Sequence, residues 1–478
     1  MAVRSFSVSA CLRAATRAAI GVAVLAASGC GTLDAVGFGG ASPAEGTAGH
    51  VSGFLGAAVA DEPQAALVAR NILSAGGNAA DAAVAAAFTL AVTLPSRASL
   101  GSGGACIAYA AAGDGPGRGV PEAVMFPLPA PAAPNAQGVE ADRPAGVPML
   151  PRGLFALHAR YGHLPFEQLV SPAERFARFG VPASRALVRD IAVVAGPLAG
   201  DPAAAAVFLA HGQPLAEGAP LRQPELATTL AQLRTAGVGD LYQGALARRF
   251  ADAATQAGGG IAATDLRGAL PRIVPPLTFE AGNDLVSLPP LPIDGGVAMA
   301  AAVAALRKAP DGLDAAQAAA MGAAARARGG PLPAVLPAST TLLTLDRDGG
   351  AVACALTMDN LFGTGRIAPG TGVVLAASPA AFPQPLLAVA IVSNANVHRF
   401  RAAVGGSGQS GAALAGAVAL VRAVGDDGLV AHPMPAPVPE PGRANVIQCN
   451  RRVPGAESSC GWATDPRGAG LALGSAAP

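Results

Sequence analysis

"PASTTLLTLDRDGGAVACALTMDNLFGTG", from Pro337 to Gly365, is the stretch on which the fold turns. Three hydroxyl residues in a row, Ser339, Thr340 and Thr341, open an apolar run. A charged turn follows from Asp346, then a second apolar run, then the glycine loop Phe362–Gly365. Two apolar, β-favouring runs around an Asp/Gly turn predict a hairpin.

The surrounding 478 residues narrow the classes. The chain is 51% hydrophobic, which supplies a large core, and only 13% charged with a net charge of +1. It has no basic block of the kind that nucleic acid binds, so no nucleic-acid partner is expected. At the N-terminus, Arg4, Arg13 and Arg17 precede the apolar run "AAIGVAVLAA", which ends in "SGC". The run is too short for a permanent membrane span and reads as a signal peptide over 1–29. Ser28 and Gly29 before Cys30 resemble a bacterial lipobox, with Ala27 in place of the usual leucine. Cleavage before Cys30 and lipidation of its thiol would leave residues 30–50 as a flexible tether. The expected location is the bacterial cell envelope, as a periplasm-facing lipoprotein held to the membrane by its lipid anchor. The alternative is a soluble periplasmic or secreted protein.

Cys106 and Cys354 lie in apolar runs and are expected as buried, inert thiols. Cys449 and Cys460 flank the polar segment "NRRVPGAESS", where a disulfide is plausible in an oxidising compartment. No Cys/His spacing suggests zinc, and no metal or other cofactor is expected.

Helical spacing predicts two helices in "EPQAALVARNILSAGGNAADAAVAAAFTLAVTLP", broken at Gly76-Gly77-Asn78, with Asp81 in the first turn of the second. "GSGGACIAYAA" predicts a glycine turn into a buried strand, and residues 112–150, rich in Pro and Gly, predict irregular surface. Residues 151–270 are mostly amphipathic helix. Strands dominate after Thr341, interrupted by the helix "SGAALAGAVALVRAV". These blocks predict a sheet core covered by helices.

Taken in order, the blocks resemble the γ-glutamyltransferase (γ-glutamyltranspeptidase) family of N-terminal-nucleophile (Ntn) hydrolases. "ILSAGGNAADAAVAAAFTLAV", "GSGG", "GVPMLPRGLFALHARYGHLPFEQLVSPAERFARFGVPAS", "QPELATTL", "LYQGALARR", "LPPLPIDGGVAM" and "ATDPRGAG" carry the resemblance. It implies an α+β fold, a four-layer αββα sandwich. Segments 51–338 and 339–478, the counterparts of a large and a small subunit, would form one compact domain. It also implies cleavage between Ala338 and Ser339, then cleavage of a small amide or peptide through an acyl-enzyme, with transfer to an amine or water.

Counting back without gaps from "DRDGGAVACALT" places the family nucleophile on Ser339, with Thr340 second. Matching the Thr-Thr pair by identity makes Thr340 the nucleophile instead, at the cost of a one-residue deletion that would flip every later side chain. Thr357 matches the threonine that bonds the nucleophile's amine. Asp359 stands where the family has Asn, close to the substrate. An anion near that amine would make it a poorer base. The oxyanion loop reads "GGSGQSG" from Gly405, so Gly406, Ser407 and Gly408 are the substrate-facing candidates, with Gln409 and Ser410 replacing glycines.

Three family contacts to a glutamyl zwitterion are missing. Pro127 stands at the place of the carboxylate-binding arginine, Ala381 at that of the amine-binding aspartate, and Leu387 and Ala388 at that of a Ser-Ser pair. Arg97 and Arg366 are candidates for a replacement anion contact. The sequence therefore carries two readings: an Ntn hydrolase with an altered acyl pocket, or a catalytically inactive envelope lipoprotein that keeps the fold as a binding or scaffold module.

Overall fold

The computed structural model describes residues 56–111, 118–132, 141–331, 338–394, 396–425, 438–450 and 460–474. The expected signal peptide, Cys30 and the tether lie outside them. Two-residue pairings aside, the strands in chain order are β1 (Gly56–Ala60), β2 (Gly103–Tyr109), β3 (Glu122–Phe126), β4 (Arg272–Val274), β5 (Leu277–Ala281), β6 (Asp284–Leu288), β7 (Ser339–Asp346), β8 (Ala351–Thr357), β9 (Ala388–Asn394), β10 (Arg399–Ser407), β11 (Arg443–Cys449), β12 (Cys460–Thr464) and β13 (Leu471–Gly474). They form a seven-stranded sheet in the order β13-β1-β7-β8-β2-β3-β4 and a six-stranded sheet in the order β12-β11-β10-β9-β6-β5. Every neighbouring pair in both sheets is antiparallel.

The two-residue period of the strands sorts their side chains into separate cores. In β8, Ala351, Ala353 and Ala355 face the second sheet, whereas Val352, Cys354 and Leu356 face the helices. The helices over the first sheet include α1 (Pro63–Ser74), α2 (Ala79–Thr93) and α3 (Leu150–Tyr161), with α4 (Phe166–Phe179) packed on α2. Over the second sheet lie α5 (Gly295–Lys308) and α6 (Ala412–Gly425), with α7 (Leu313–Arg328) packed on both. A third core of small and branched side chains fills the space between the sheets. Helix, sheet, sheet, helix is the αββα sandwich.

All fifteen residues of α2 are buried, because its alanines let a sheet and other helices approach from every side. Its N-terminus is set by Asn78, whose side chain accepts the Asp81 N–H while Asp81 accepts the Asn78 N–H.

Two expectations are corrected. Residues 112–150 are not all irregular: "EAVMF" is the buried strand β3, paired with β2 and β4. Five residues between Pro- and Gly-rich flanks are too few for a periodic signal. Cys106 and Cys354 are buried but are not thiols. They face each other in the β2–β8 register and are joined by a disulfide. Cys449 and Cys460, likewise opposed on β11 and β12, are also bonded.

Candidate active site

Strands β7 and β8 form the hairpin, and its register puts Ser339 opposite Thr357. Leu343 and Leu345 project between the sheets and Leu342 projects toward the helices. By the same alternation Ser339 and Thr341 face the second sheet, and Thr340 faces away from it. The second sheet comes very close here: a Cβ on Gly405 would lie 2.8 Å from the Thr341 Cβ.

Ser339 is buried, and its Oγ accepts the Gly408 N–H at 3.4 Å. The preceding residue is held at both ends. The Ala338 carbonyl accepts the Met358 N–H at 3.2 Å, and the Ala338 N–H donates to Gln409 Oε1 at 3.2 Å. Thr357 Oγ1 accepts the Asp359 N–H at 2.9 Å, which leaves the Thr357 hydroxyl proton free to point elsewhere. Backbone strain gathers in the same place. Asp359 (φ 62°), Phe362 (φ 57°) and Gln409 (φ 50°) all adopt the left-handed region that side chains disfavour.

Among the described residues, two buried side chains at the site carry polar atoms without a hydrogen-bond partner. Both carboxylate oxygens of Asp359 lack a hydrogen bond, and so does Gln409 Nε2. Burial drives the Asp359 carboxyl well above the usual carboxylate range, opposed by the charge of Arg328. Arg328 ends α7, pairs with Asp294 and donates Nη2 to the Gln384 carbonyl at 2.7 Å.

Thr340 belongs to a different cluster. Its Oγ1 donates to Asp61 Oδ2 at 3.1 Å, which also accepts the Thr341 N–H at 2.9 Å. Asn445 Nδ2 lies 2.8 Å from both Asp61 Oδ1 and Thr341 Oγ1. A cleft of about 150 Å³ beside this cluster is lined by Asp61, Arg97, Arg189, Ser407, Arg443 and Arg467. Of the sequence candidates, Ser339, Thr357, Asp359 and Gly408 therefore converge with Ala338. Gly406 pairs with Ala388 one strand over, and Thr340 points elsewhere.

Neither arginine suggested as a replacement anion contact is free. Arg97 is bidentate on Asp190, with bonds of 2.7 and 2.8 Å, and Arg366 is bidentate on Asp142, with bonds of 2.9 and 2.7 Å. Leu387 is fully buried in the inter-sheet core, Ala381 is exposed and Pro127 is half-buried. The charge that acts on Asp359 is that of Arg328, which sequence reasoning missed. Only its helical position near the end of α7 could have signalled it.

Two helix-covered antiparallel sheets, with a hydroxyl residue opening a central strand, define the Ntn-hydrolase class of fold. The structure superposes on a cephalosporin acylase from Bacillus halodurans with a TM-score of 0.68, covering 91% of this chain and 99% of that one, at 19% identity. The Gamma-glutamyltranspeptidase family model matches residues 65–328. The chain belongs to the gamma-glutamyltranspeptidase family. Among curated relatives, glutathione hydrolase 2 of Arabidopsis thaliana is 31% identical over 256 residues, 52% of this chain and 43% of that protein. The acylase ACY 1 proenzyme of Pseudomonas sp. (strain SE83) is 31% identical over 263 residues, 52% of this chain and 46% of that protein. The chain thus spans about half the length of the curated relatives it matches.

Proposed function

We propose that this chain is a self-processing amide hydrolase or acyltransferase with Ser339 as its nucleophile. The observation that carries the reading is the clamped Ala338–Ser339 peptide bond: its carbonyl receives the Met358 N–H, and the neighbouring hydroxyl receives the Gly408 N–H. Ser339 Oγ adds to the Ala338 carbonyl carbon, the Met358 N–H stabilises the oxyanion, and the hydroxyl proton passes to the Ser339 nitrogen as the C–N bond breaks. Water hydrolyses the resulting ester, freeing the Ala338 carboxylate and the Ser339 amine. Segments 51–338 and 339–478 are then the two parts of the working enzyme.

In turnover the freed amine takes the Ser339 proton, Oγ attacks a substrate amide and the leaving amine departs with that proton. Water or a second amine then takes the acyl group. Several relatives are named glutathione hydrolases, but Pro127, Ala381 and Leu387 give a γ-glutamyl zwitterion no partners. The acyl group proposed here is therefore not γ-glutamyl.

Denaturing electrophoresis under reducing conditions, with N-terminal sequencing of the smaller fragment, tests this. Two fragments, the smaller starting at Ser339, are expected. A start at Thr340 moves the nucleophile by one residue, and one uncut chain overturns the enzymatic reading in favour of a scaffold. The same proposal places lipid on Cys30 and the protein at the cell envelope. Metabolic palmitate should label the wild type and not Cys30→Ala, and an unlabelled wild type removes the anchor. Among the described residues, no helix is long and apolar enough to cross a membrane.

A further inference from the structure

The uncut chain presents its own first substrate to Ser339. Ala338 occupies the position of the acyl group, and every part of it has a defined environment. Its carbonyl takes the Met358 N–H at 3.2 Å and its methyl lies in the apolar core under the first sheet, fully buried. Its N–H donates to Gln409 Oε1 at 3.2 Å. Gln409 is 4% exposed, sits at φ 50°, and its Nε2 has no partner among the described residues. A buried carboxamide that spends its oxygen on one backbone N–H and leaves its nitrogen unpaired is poorly explained as packing.

We propose that Gln409 selects the substrate: the acyl groups this enzyme takes are N-acylated α-amino acids with a small side chain, of the N-acylalanyl type. Once Ala338 departs, Gln409 Oε1 loses its donor and the methyl-sized space empties. An incoming acyl residue with an amide N–H on the carbon next to its carbonyl refills both. A γ-glutamyl group has only a methylene there and leaves the buried Oε1 unpaired. Residues larger than alanine meet the close-packed helix-side core. The inference rests on Ser339 as nucleophile and gives that reading its substrate class.

The test uses the purified full-length mature protein after self-cleavage. Three anilides are compared: N-acetylalanyl, its 2-acetoxypropanoyl analogue in which oxygen replaces the N–H, and N-acetylphenylalanyl. The expected kcat/KM for N-acetylalanyl anilide exceeds that for the oxygen analogue about tenfold, the scale of one buried neutral hydrogen bond. It exceeds that for the phenylalanyl substrate by more. Gln409→Met should collapse the first ratio toward one and leave the second, while Gln409→Glu, which keeps an acceptor oxygen, should retain part of the first. The oxygen substitution is made on the substrate, so the wild-type comparison does not depend on how any variant folds. A wild-type ratio near one, or one that Gln409→Met does not change, overturns the assignment. Cleavage at Ser339 with turnover only of other acyl anilides overturns this inference alone. An uncut protein without turnover overturns it together with the nucleophile.

Discussion

The two ends of β7 are built on opposite principles. At its C-terminal end Asp346 is nearly buried, yet its carboxylate is saturated: it accepts the N–H groups of Ala79, Asp348 and Gly350, with bonds of 3.0, 3.0 and 2.7 Å. It thereby ties the hairpin turn to the start of α2. At the N-terminal end, Asp359 and Gln409 carry polar atoms with no partner on strained backbone. One end of the strand is satisfied and serves stability. The other leaves buried polar groups unmatched, a cost that proteins keep at functional sites.

Breaking the N-terminal end should have the largest effect. Ser339→Ala is expected to abolish self-cleavage and leave a single chain on a reducing gel. Thr340→Ala, which disturbs only the Asp61 cluster, should still be cut. The reverse result would show that the register places the wrong hydroxyl at the site.

Next comes substrate. If the proposed alignment of Pro127, Ala381 and Leu387 holds, a γ-glutamyl anilide offers the processed protein a zwitterion whose charges find no partners there. A penalty of about 4 kcal/mol in the transition state corresponds to roughly a thousandfold loss of rate. Turnover of that anilide at an ordinary enzymatic rate would restore the plain family substrate.

The C-terminal end should answer through stability. Asp346→Ala strands three backbone donors and should lower the unfolding free energy by about 3 kcal/mol in denaturant titration, without preventing the cut. Burial also raises the Asp346 carboxyl to about 6. A carboxyl raised on folding contributes its full stability below its unfolded value, near 4, and that contribution is lost as pH rises through the folded value. The Asp346 contribution should therefore fall between about pH 4 and pH 6, and the stability difference between wild type and Asp346→Asn should change by that amount across this window. A slope unchanged in the variant would assign the effect elsewhere.

The smallest effect should come from Asp359→Asn. Its carboxyl is raised in the same direction, and asparagine does not titrate. The variant should melt a few degrees higher than wild type at pH 8, with the difference shrinking toward pH 4. A variant less stable than wild type at pH 8 would mean that the carboxylate has a partner after all.

The hairpin was legible because two β-favouring runs flank an Asp/Gly turn, and a period of two makes counting along a strand equivalent to choosing a face. The start of α2 was legible because Gly76-Gly77-Asn78 breaks the helical spacing and Asp81 falls in the first turn. What escaped the sequence depends on contacts between distant residues. Gln409 read only as a lost glycine, and nothing local says that its side chain reaches Ala338, 71 positions away. Asp359 was visible as a residue, but its isolation depends on what surrounds it. Arg97 and Arg366 looked free because their partners Asp190 and Asp142 are remote in sequence.

The Cys106–Cys354 bond has one cysteine on each side of Ser339. In the uncut chain it merely closes a loop between two neighbouring strands. If the backbone opens before Ser339, it becomes a covalent link between the two products. The mature enzyme would then be one molecule made of two chains, unable to come apart on dilution. Its melting temperature would not depend on protein concentration, whereas a reduced sample could lose its smaller chain irreversibly. Without reductant, a fully processed preparation would run on a gel as though it had never been cut.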